Sequence, residues 1–192
     1  MNRLPSPHSG RGLPAAESEP RFLCDGMLTG LGRWLRAAGY DTQVAGNGRP
    51  DSGVVTEARA QRRLLLTCDR ALATGADGGV LLLAGNDLAA WARELTATLG
   101  VDWLYRPFTR CLNCNTPLQP AREEQHAALP PALRSVKDVR YCSCCDKLYW
   151  EGGHLRQMRQ RLREWSARYA QVRSGLADTL SAGAVSGDPE PE

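Results

Sequence analysis

From Arg21 onward, short apolar runs alternate with apolar residues at helical steps. Phe22-Leu23-Cys24 stops at Asp25-Gly26, after which Leu28, Leu31, Leu35 and Ala38 recur at intervals of three and four. The run predicts a strand, and the stepped pattern predicts a helix ended by Gly39, with Thr29, Arg33 and Arg36 on another side. Asp51-Ser52 opens a second predicted helix reaching Gln61, its acidic and hydroxyl residues suited to a first turn. Leu64-Leu65-Leu66-Thr67 reads as a buried strand ending at Cys68-Asp69, and Val80-Leu81-Leu82-Leu83 as another. Asn86 or Asp87 then caps a helix carrying Leu88, Trp91, Leu95 and Leu99. Strands alternating with helices predict an α/β fold with a mainly parallel sheet covered on both faces. Alternation along the first strand turns Cys24 away from Asp25 as a small core residue, and Trp34 and Trp91 are expected in the core as well.

The pattern changes after residue 106. Cys111 and Cys114, then Cys142 and Cys145, form two C-x-x-C pairs separated by 27 residues. Two such pairs predict one tetrahedral Zn²⁺ site in a zinc ribbon, each pair supplying two thiolates at about 2.3 Å. A disulfide or redox pair would need only one C-x-x-C. Cys144 could replace a neighbour as ligand, but the repeated spacing favours Cys142 with Cys145. Arg110, Lys137, Arg140 and Lys147, with Tyr141, Tyr149 and Trp150, surround these cysteines and suit either base stacking or a solvated surface. His154 suits a cap or a phosphate contact, whereas His126 lies in a polar loop. Leu155, Met158, Leu162, Trp165, Tyr169 and Val172 then form one helical stripe, with Arg156, Arg159, Arg161, Arg163 and Arg168 over much of the remainder. Such a basic amphipathic helix can pack on the body and face RNA, pair with a second copy, or meet an acidic protein partner.

Composition adds bounds. A chain of 192 residues that is 42% apolar can hold one ordinary domain and a small metal-stabilised module. The expected divisions are a disordered tail over 1–20, an α/β domain over 21–106, the ribbon over 107–154, the basic helix over 155–173 and a disordered tail over 174–192. No apolar stretch reaches the ~18 residues of a membrane helix, and none near the start has signal-peptide character. The expectation is a soluble, cytoplasmic protein without a membrane partner, in which seven cysteines serve metal rather than disulfides. A formal net charge of +3 permits a nucleic-acid partner without requiring one.

In open α/β sheets, sites lie beyond the carboxyl ends of the strands, where Asp25 and Asp69 are expected. Asp51 at a helix start and Asp87 after the fourth run could complete an acidic cluster. Its mutual repulsion would be relieved by Mg²⁺ or Mn²⁺, which would suit phosphodiester hydrolysis. Each aspartate could equally be a turn or cap residue. Arg33, Arg36 and Arg70 are candidates for phosphate and RNA contact or for solvated surface.

The segment FLCDGMLTGLGRWLRAAGYD over 22–41, RLLLTCDR over 63–70, the two cysteine pairs and YWEGGH over 149–154 occur in that order. Together they resemble the PIN-like RNase family named after the carboxy-terminal domain of the mutator-seven exonuclease. The resemblance implies a PIN-like α/β/α sandwich with a terminal zinc ribbon and a divalent-metal RNase activity. It implies that Asp25, Asp51 and Asp69 are the acidic residues, with Asp87 a less firm match. Cys68 departs from the pattern, standing where a basic residue is frequent, and Gly30 and Gly32 lie in a helix that usually has stronger formers. The alternative is a non-catalytic zinc-ribbon adaptor for RNA, ribosome or protein. An aspartyl-phosphatase reading is weaker, because Met27 stands where that class places a second acid.

Overall fold

The computed structural model describes residues 19–46, 48–76 and 78–182, the final helix by its backbone alone beyond Ala170. The disordered tails expected at the two ends lie, over residues 1–18 and 183–192, outside the described residues.

Four strands form one parallel sheet: β1 (Arg21–Cys24), β2 (Asp41–Val44), β3 (Leu64–Thr67) and β4 (Val80–Leu82), in the order β2-β1-β3-β4. Between them run α1 (Thr29–Ala38), preceded by a 3-10 turn at Gly26–Leu28, then α2 (Asp51–Ala60) and α3 (Arg70–Thr74); α4 (Leu88–Leu99) follows β4. The central strands β1 and β3 are buried on both faces, which is why they read as uninterrupted apolar runs. Leu23 and Leu65 face Val54, Val55, Ala58 and Leu72 of α2 and α3. Phe22, Cys24 and Leu66 face Leu28, Leu31 and Leu35 on one side of the α1 segment, with Ala92 and Leu95 of α4. Helices therefore cover both faces, giving the expected α/β/α layering.

Two glycines fit α1 to this sheet. At Gly32 a Cβ would lie 2.7 Å from Val44 Cγ2 and 3.5 Å from Cys24 Sγ, so only a glycine lets the helix approach β1 and β2 this closely. Gly39, at φ 103°, ends the helix in the left-handed conformation and returns its N–H to Arg36 O.

The ribbon sheet is antiparallel: β5 (Gln119–Pro120), β6 (Arg140–Cys142) and β7 (Lys147–Tyr149), with α5 (Glu123–Ala127) in the connection. It packs directly on the main body. Leu112 enters the main core, and the Asn115 side chain pairs with the edge strand β2 as another strand would. Asn115 Oδ1 accepts from Thr42 N at 3.0 Å and Nδ2 donates to Asp41 Oδ1 at 2.6 Å. The ribbon thereby covers a sheet edge that would otherwise expose its backbone groups.

The basic helix is also longer than expected. As α6 it runs Gly153–Ala182, beginning before 155 and continuing through 174–182, where a disordered tail was expected. Gly175 costs about 1 kcal/mol, but elongation of a formed helix is easy and the flanking Leu and Ala residues favour it. Met158, Leu162, Trp165 and Tyr169 of the predicted stripe are buried in the main core, while the Val172 side chain lies outside the description. Trp165 packs against Trp34 and Trp103 with centroids 4.9 and 4.8 Å away, and Tyr169 Oη donates to Ala89 O of α4 at 3.1 Å. Trp34 and Trp91 are half-buried at the margin of this core. Among the described residues no helix is long and apolar enough to cross a membrane.

Candidate functional site

The chain leaves β1 for β2 on one side and later places β3 on the other, so the β1–β3 boundary is the point where strand order reverses. Asp25 follows β1 there and Asp69 closes β3. A crevice at such a switch point is the usual ligand position in an open parallel sheet. Thr67, buried at the end of β3, links the two acids: its Oγ1 donates to Asp25 Oδ2 at 2.9 Å and accepts from Asp69 N at 2.9 Å. Asp25 N continues the ladder to Leu66 O at 2.9 Å, fixing the backbone from which this carboxylate projects.

Asp25 also lines a cleft of about 210 Å³ with Met27, Gly46, Arg49, Asp51 and Leu72. Asp51 is exposed in the first turn of α2, and Arg49 at the cleft mouth is paired with Glu57. Asp69 is the N-cap of α3, its Oδ1 accepting from Ala71 N at 2.7 Å and Leu72 N at 3.3 Å. Asp25 Oδ1 and Asp69 Oδ2 remain without hydrogen bonds among the described residues. Asp87 is likewise the N-cap of α4, holding Ala89 N and Ala90 N at 2.8 Å. Thus Asp25 and Asp51 share a cleft and Asp25 and Asp69 share a hydroxyl. Within the described residues, however, the acids do not form a closed ligand set, since only four cysteines place three or more ligand atoms within 4.8 Å of one another.

Those cysteines are Cys111, Cys114, Cys142 and Cys145. Cys111 Sγ lies 3.9 Å from Cys145 Sγ, and Cys114 Sγ lies 3.4 Å from Cys142 Sγ. Both separations far exceed a disulfide's about 2.05 Å and lie near the about 3.8 Å between thiolates on one tetrahedral zinc. Each C-x-x-C turn folds back on its first sulfur, with Cys114 N 3.5 Å from Cys111 Sγ and Cys145 N 3.4 Å from Cys142 Sγ. Burial works to raise Cys114, but hydrogen bonds from Thr116 and the neighbouring cysteines outweigh it and bring the thiol to about 6. A hydrogen bond from Asn113 favours the Cys145 thiolate, but Cys114, burial and Cys111 prevail and push it to about 12. Four sulfur atoms gathered at these distances form an all-sulfur tetrahedral set, which fits zinc. Cys144 is exposed and outside this set.

The basic candidates separate. Arg36 is 7% exposed and its guanidinium is occupied by three carbonyls. Nε donates to Thr42 O at 2.8 Å, and Nη1 to Leu112 O at 3.3 Å and Asn113 O at 2.7 Å. It joins α1, β2 and the first cysteine turn, and it lies in the wall of the groove between α1 and the ribbon. Arg70 is exposed as the first residue of α3, beside Asp69. Arg33 is exposed and meets His154 Nε2 at 2.9 Å, across a groove of about 990 Å³ between α1 and the ribbon. His126 is held by Val136 O at 2.9 Å in the ribbon connection.

A family model described as Mut7-C RNAse domain matches residues 20–162. The chain belongs to this family. No curated protein and no solved structure matches it. Membership bears out the resemblance carried by the segments from Phe22 to His154 and gives the chain a ribonuclease-type function. The match spans the parallel sheet, the ribbon and the first part of α6, so the Mut7-C unit includes the ribbon and the helix packed behind it.

Three further residues at the Mut7-C acidic edge escaped the sequence reading. Thr67 holds Asp25, and its signal was a hydroxyl residue ending an apolar strand two positions before an aspartate. Glu94 of α4 accepts from Ala84 N at 2.8 Å, at the end of β4. Burial raises the Cys68 thiol and the charges of Asp25 and then Glu94 raise it further, which puts Glu94 within electrostatic reach of the same edge. Arg49 enters the cleft from a glycine-bearing loop without any helical or strand periodicity.

Proposed function

We propose that the chain is a metal-dependent ribonuclease whose acidic edge, built on Asp25, Asp51 and Asp69, hydrolyses RNA phosphodiester bonds while the zinc ribbon assists substrate binding. The observation that carries this reading is Asp25 at the β1–β3 switch point, oriented by Thr67 and opening into the cleft that Asp51 also lines. The free oxygens of Asp25 and Asp69, with the exposed Asp51 carboxylate, are donors suited to Mg²⁺ or Mn²⁺, hard cations that keep several waters and need few protein ligands. A divalent cation bound there would supply Lewis-acid polarisation of the phosphodiester.

The chain's own groups divide the remaining tasks. Thr67 fixes the Asp25 rotamer, so that carboxylate need not reorganise when substrate arrives. Asp69 uses one oxygen to cap α3 and keeps the other for the site. Arg70, the residue after Asp69, and Arg33 on α1 offer exposed positive charge. Zinc in the ribbon would be structural, because all four positions are filled by thiolates and none is left open for chemistry.

The non-catalytic adaptor draws on one observation: Asp69 and Asp87 both serve as helix N-caps, and the acids are not gathered into a closed set. Cleavage of labelled RNA separates the readings. Metal-dependent cleavage that Asp25→Asn abolishes supports the nuclease, and RNA binding without cleavage in either protein supports the adaptor.

A further inference from the structure

We infer that the groove between α1 and the zinc ribbon is a single-stranded RNA subsite, in which Arg33 and His154 hold a backbone phosphate and Trp150 stacks one unpaired base. The inference rests on the ribonuclease reading for its choice of ligand, and it is tested by binding alone.

Arg33 is the first reason. Arg21, Arg49, Arg63, Arg106, Arg159 and Arg161 each lie within salt-bridge distance of a carboxylate. Arg33 meets none among the described residues; its partner is the imidazole of His154, Nη2 to Nε2 at 2.9 Å. A guanidinium only donates, so Nε2 accepts and the imidazole proton sits on Nδ1. The pair therefore presents an uncompensated positive charge and a second N–H in an open groove, the donor arrangement a phosphate takes. Lys147 lines the same groove. Its one lining carboxylate, Asp146, is already the acceptor for Tyr141 Oη at 2.9 Å.

Trp150 is the second. It is half-buried in the groove wall, with its indole folded over the Gly152 backbone: a Cβ at Gly152 would lie 3.0 Å from Trp150 Nε1. A ring held in one place loses little freedom when a base stacks on it, and stacking accepts any base.

Position selects the ligand. The groove begins at Thr29 and Gly30 and the acidic cleft ends at Gly26 and Met27, so one turn of chain separates them. From Asp25 to Gly30 that turn advances about 9 Å, using 3-10 and α-helical rises. Met27, 74% exposed, lines the acidic cleft at the start of this stretch. A flexible strand can cross it with phosphate in one depression and the neighbouring segment in the other, whereas an A-form duplex keeps its base faces stacked and unavailable to Trp150.

The test uses the zinc-loaded 192-residue chain carrying Asp25→Asn, without added Mg²⁺ or Mn²⁺, so that no probe is consumed. Fluorescence anisotropy reports binding of a fluorescein-labelled single strand of roughly twelve nucleotides and of a hairpin duplex. Adding Arg33→Ala should weaken single-strand binding about 10-fold and reduce the salt slope by about 1, and His154→Ala should weaken it in the same direction. Trp150→Ala should cost about 10-fold and Trp150→Phe should restore most of it, with duplex affinity little changed by either. Unaltered single-strand affinity in Arg33→Ala and Trp150→Ala, with about one zinc retained per chain, overturns the subsite. Equal losses for strand and hairpin overturn its single-strand character. If the variants lose binding while the wild-type protein never cleaves RNA, the subsite stands and the nuclease reading falls; cleavage with undiminished binding in the variants gives the reverse.

Discussion

Replacing Arg36 by methionine, which keeps the aliphatic stem and removes the guanidinium, would break the junction on which ribbon and body meet. Arg36 donates at 2.8, 3.3 and 2.7 Å to the carbonyls of Thr42, Leu112 and Asn113, and the side chain is buried. Hydrogen bonds from a charged donor contribute about 1.5–3 kcal/mol each when their partners would otherwise be stranded. Two short bonds at the lower value and a long one at half of it sum to about 4 kcal/mol. Burial pushes the Arg36 guanidinium below its usual range, which shows that the native site imposes a desolvation cost that the substitution would relieve. A net loss of about 3 kcal/mol results, large for one residue. Urea unfolding of the zinc-loaded protein measures it. Leu112 and Asn113 lie between Cys111 and Cys114, two of the four clustered cysteines, so zinc held there should also pass faster to a chromogenic chelator. A variant that loses less than 1 kcal/mol, releases zinc at the wild-type rate and instead binds RNA poorly would refute the structural role and return Arg36 to the substrate face.

Asp41 makes stability pH-dependent. Burial works to raise its pKa, but hydrogen bonds from Arg63, Asn115 and Arg21 outweigh it and bring it to about 2. Against about 3.9 in the unfolded chain, the ionised group contributes about 2 kcal/mol that is fully present above pH 4 and lost as pH falls towards 2; acid unfolding of Asp41→Asn should lack this component. Gly32→Ala should destabilise by about 1 kcal/mol despite better helix propensity, because its Cβ meets Val44 Cγ2 at 2.7 Å, and adding Val44→Ala should recover the loss. Gly30→Ala, with nothing within 4 Å of its Cβ, should instead stabilise by up to about 1 kcal/mol; both are read from urea midpoints. Leu162→Ala, fully buried in the main core, should cost about 3 kcal/mol in the same assay, and a loss near zero would mean that α6 does not pack as described.

The elements legible in the sequence are those whose residues answer to one physical demand. β1 and β3 lie inside a two-faced core and are apolar apart from Arg21 and Thr67 at their ends; α1 and α4 bury one face and show it at steps of three and four. β2 was not visible because Asp41, Thr42 and Gln43 are polar, and Asp41 and Thr42 make the junction to Asn115, Arg36 and Arg63. The strands of the ribbon are two or three residues long and take their place from the cysteine turns rather than from periodicity. Arg33 and Arg36 stand three positions apart on α1, and nothing in their spacing tells that one is exposed in the groove while the other is buried in its wall with its guanidinium held by carbonyls. That distinction depends on Leu112 and Asn113, more than seventy residues away. The four cysteines required only their own spacing, because a single tetrahedral cation would dictate the arrangement of all of them.

The central claim, that the Asp25 edge is a ribonuclease site, is tested most directly by incubating labelled single-stranded RNA with the zinc-loaded wild-type protein and with Asp25→Asn. Both are assayed with added Mn²⁺ or Mg²⁺ and without it, with zinc content measured in each preparation. The account predicts cleavage that requires the added cation and is lost in Asp25→Asn while zinc and RNA binding are retained. Equal cleavage by both proteins, or binding without cleavage by either, would contradict it.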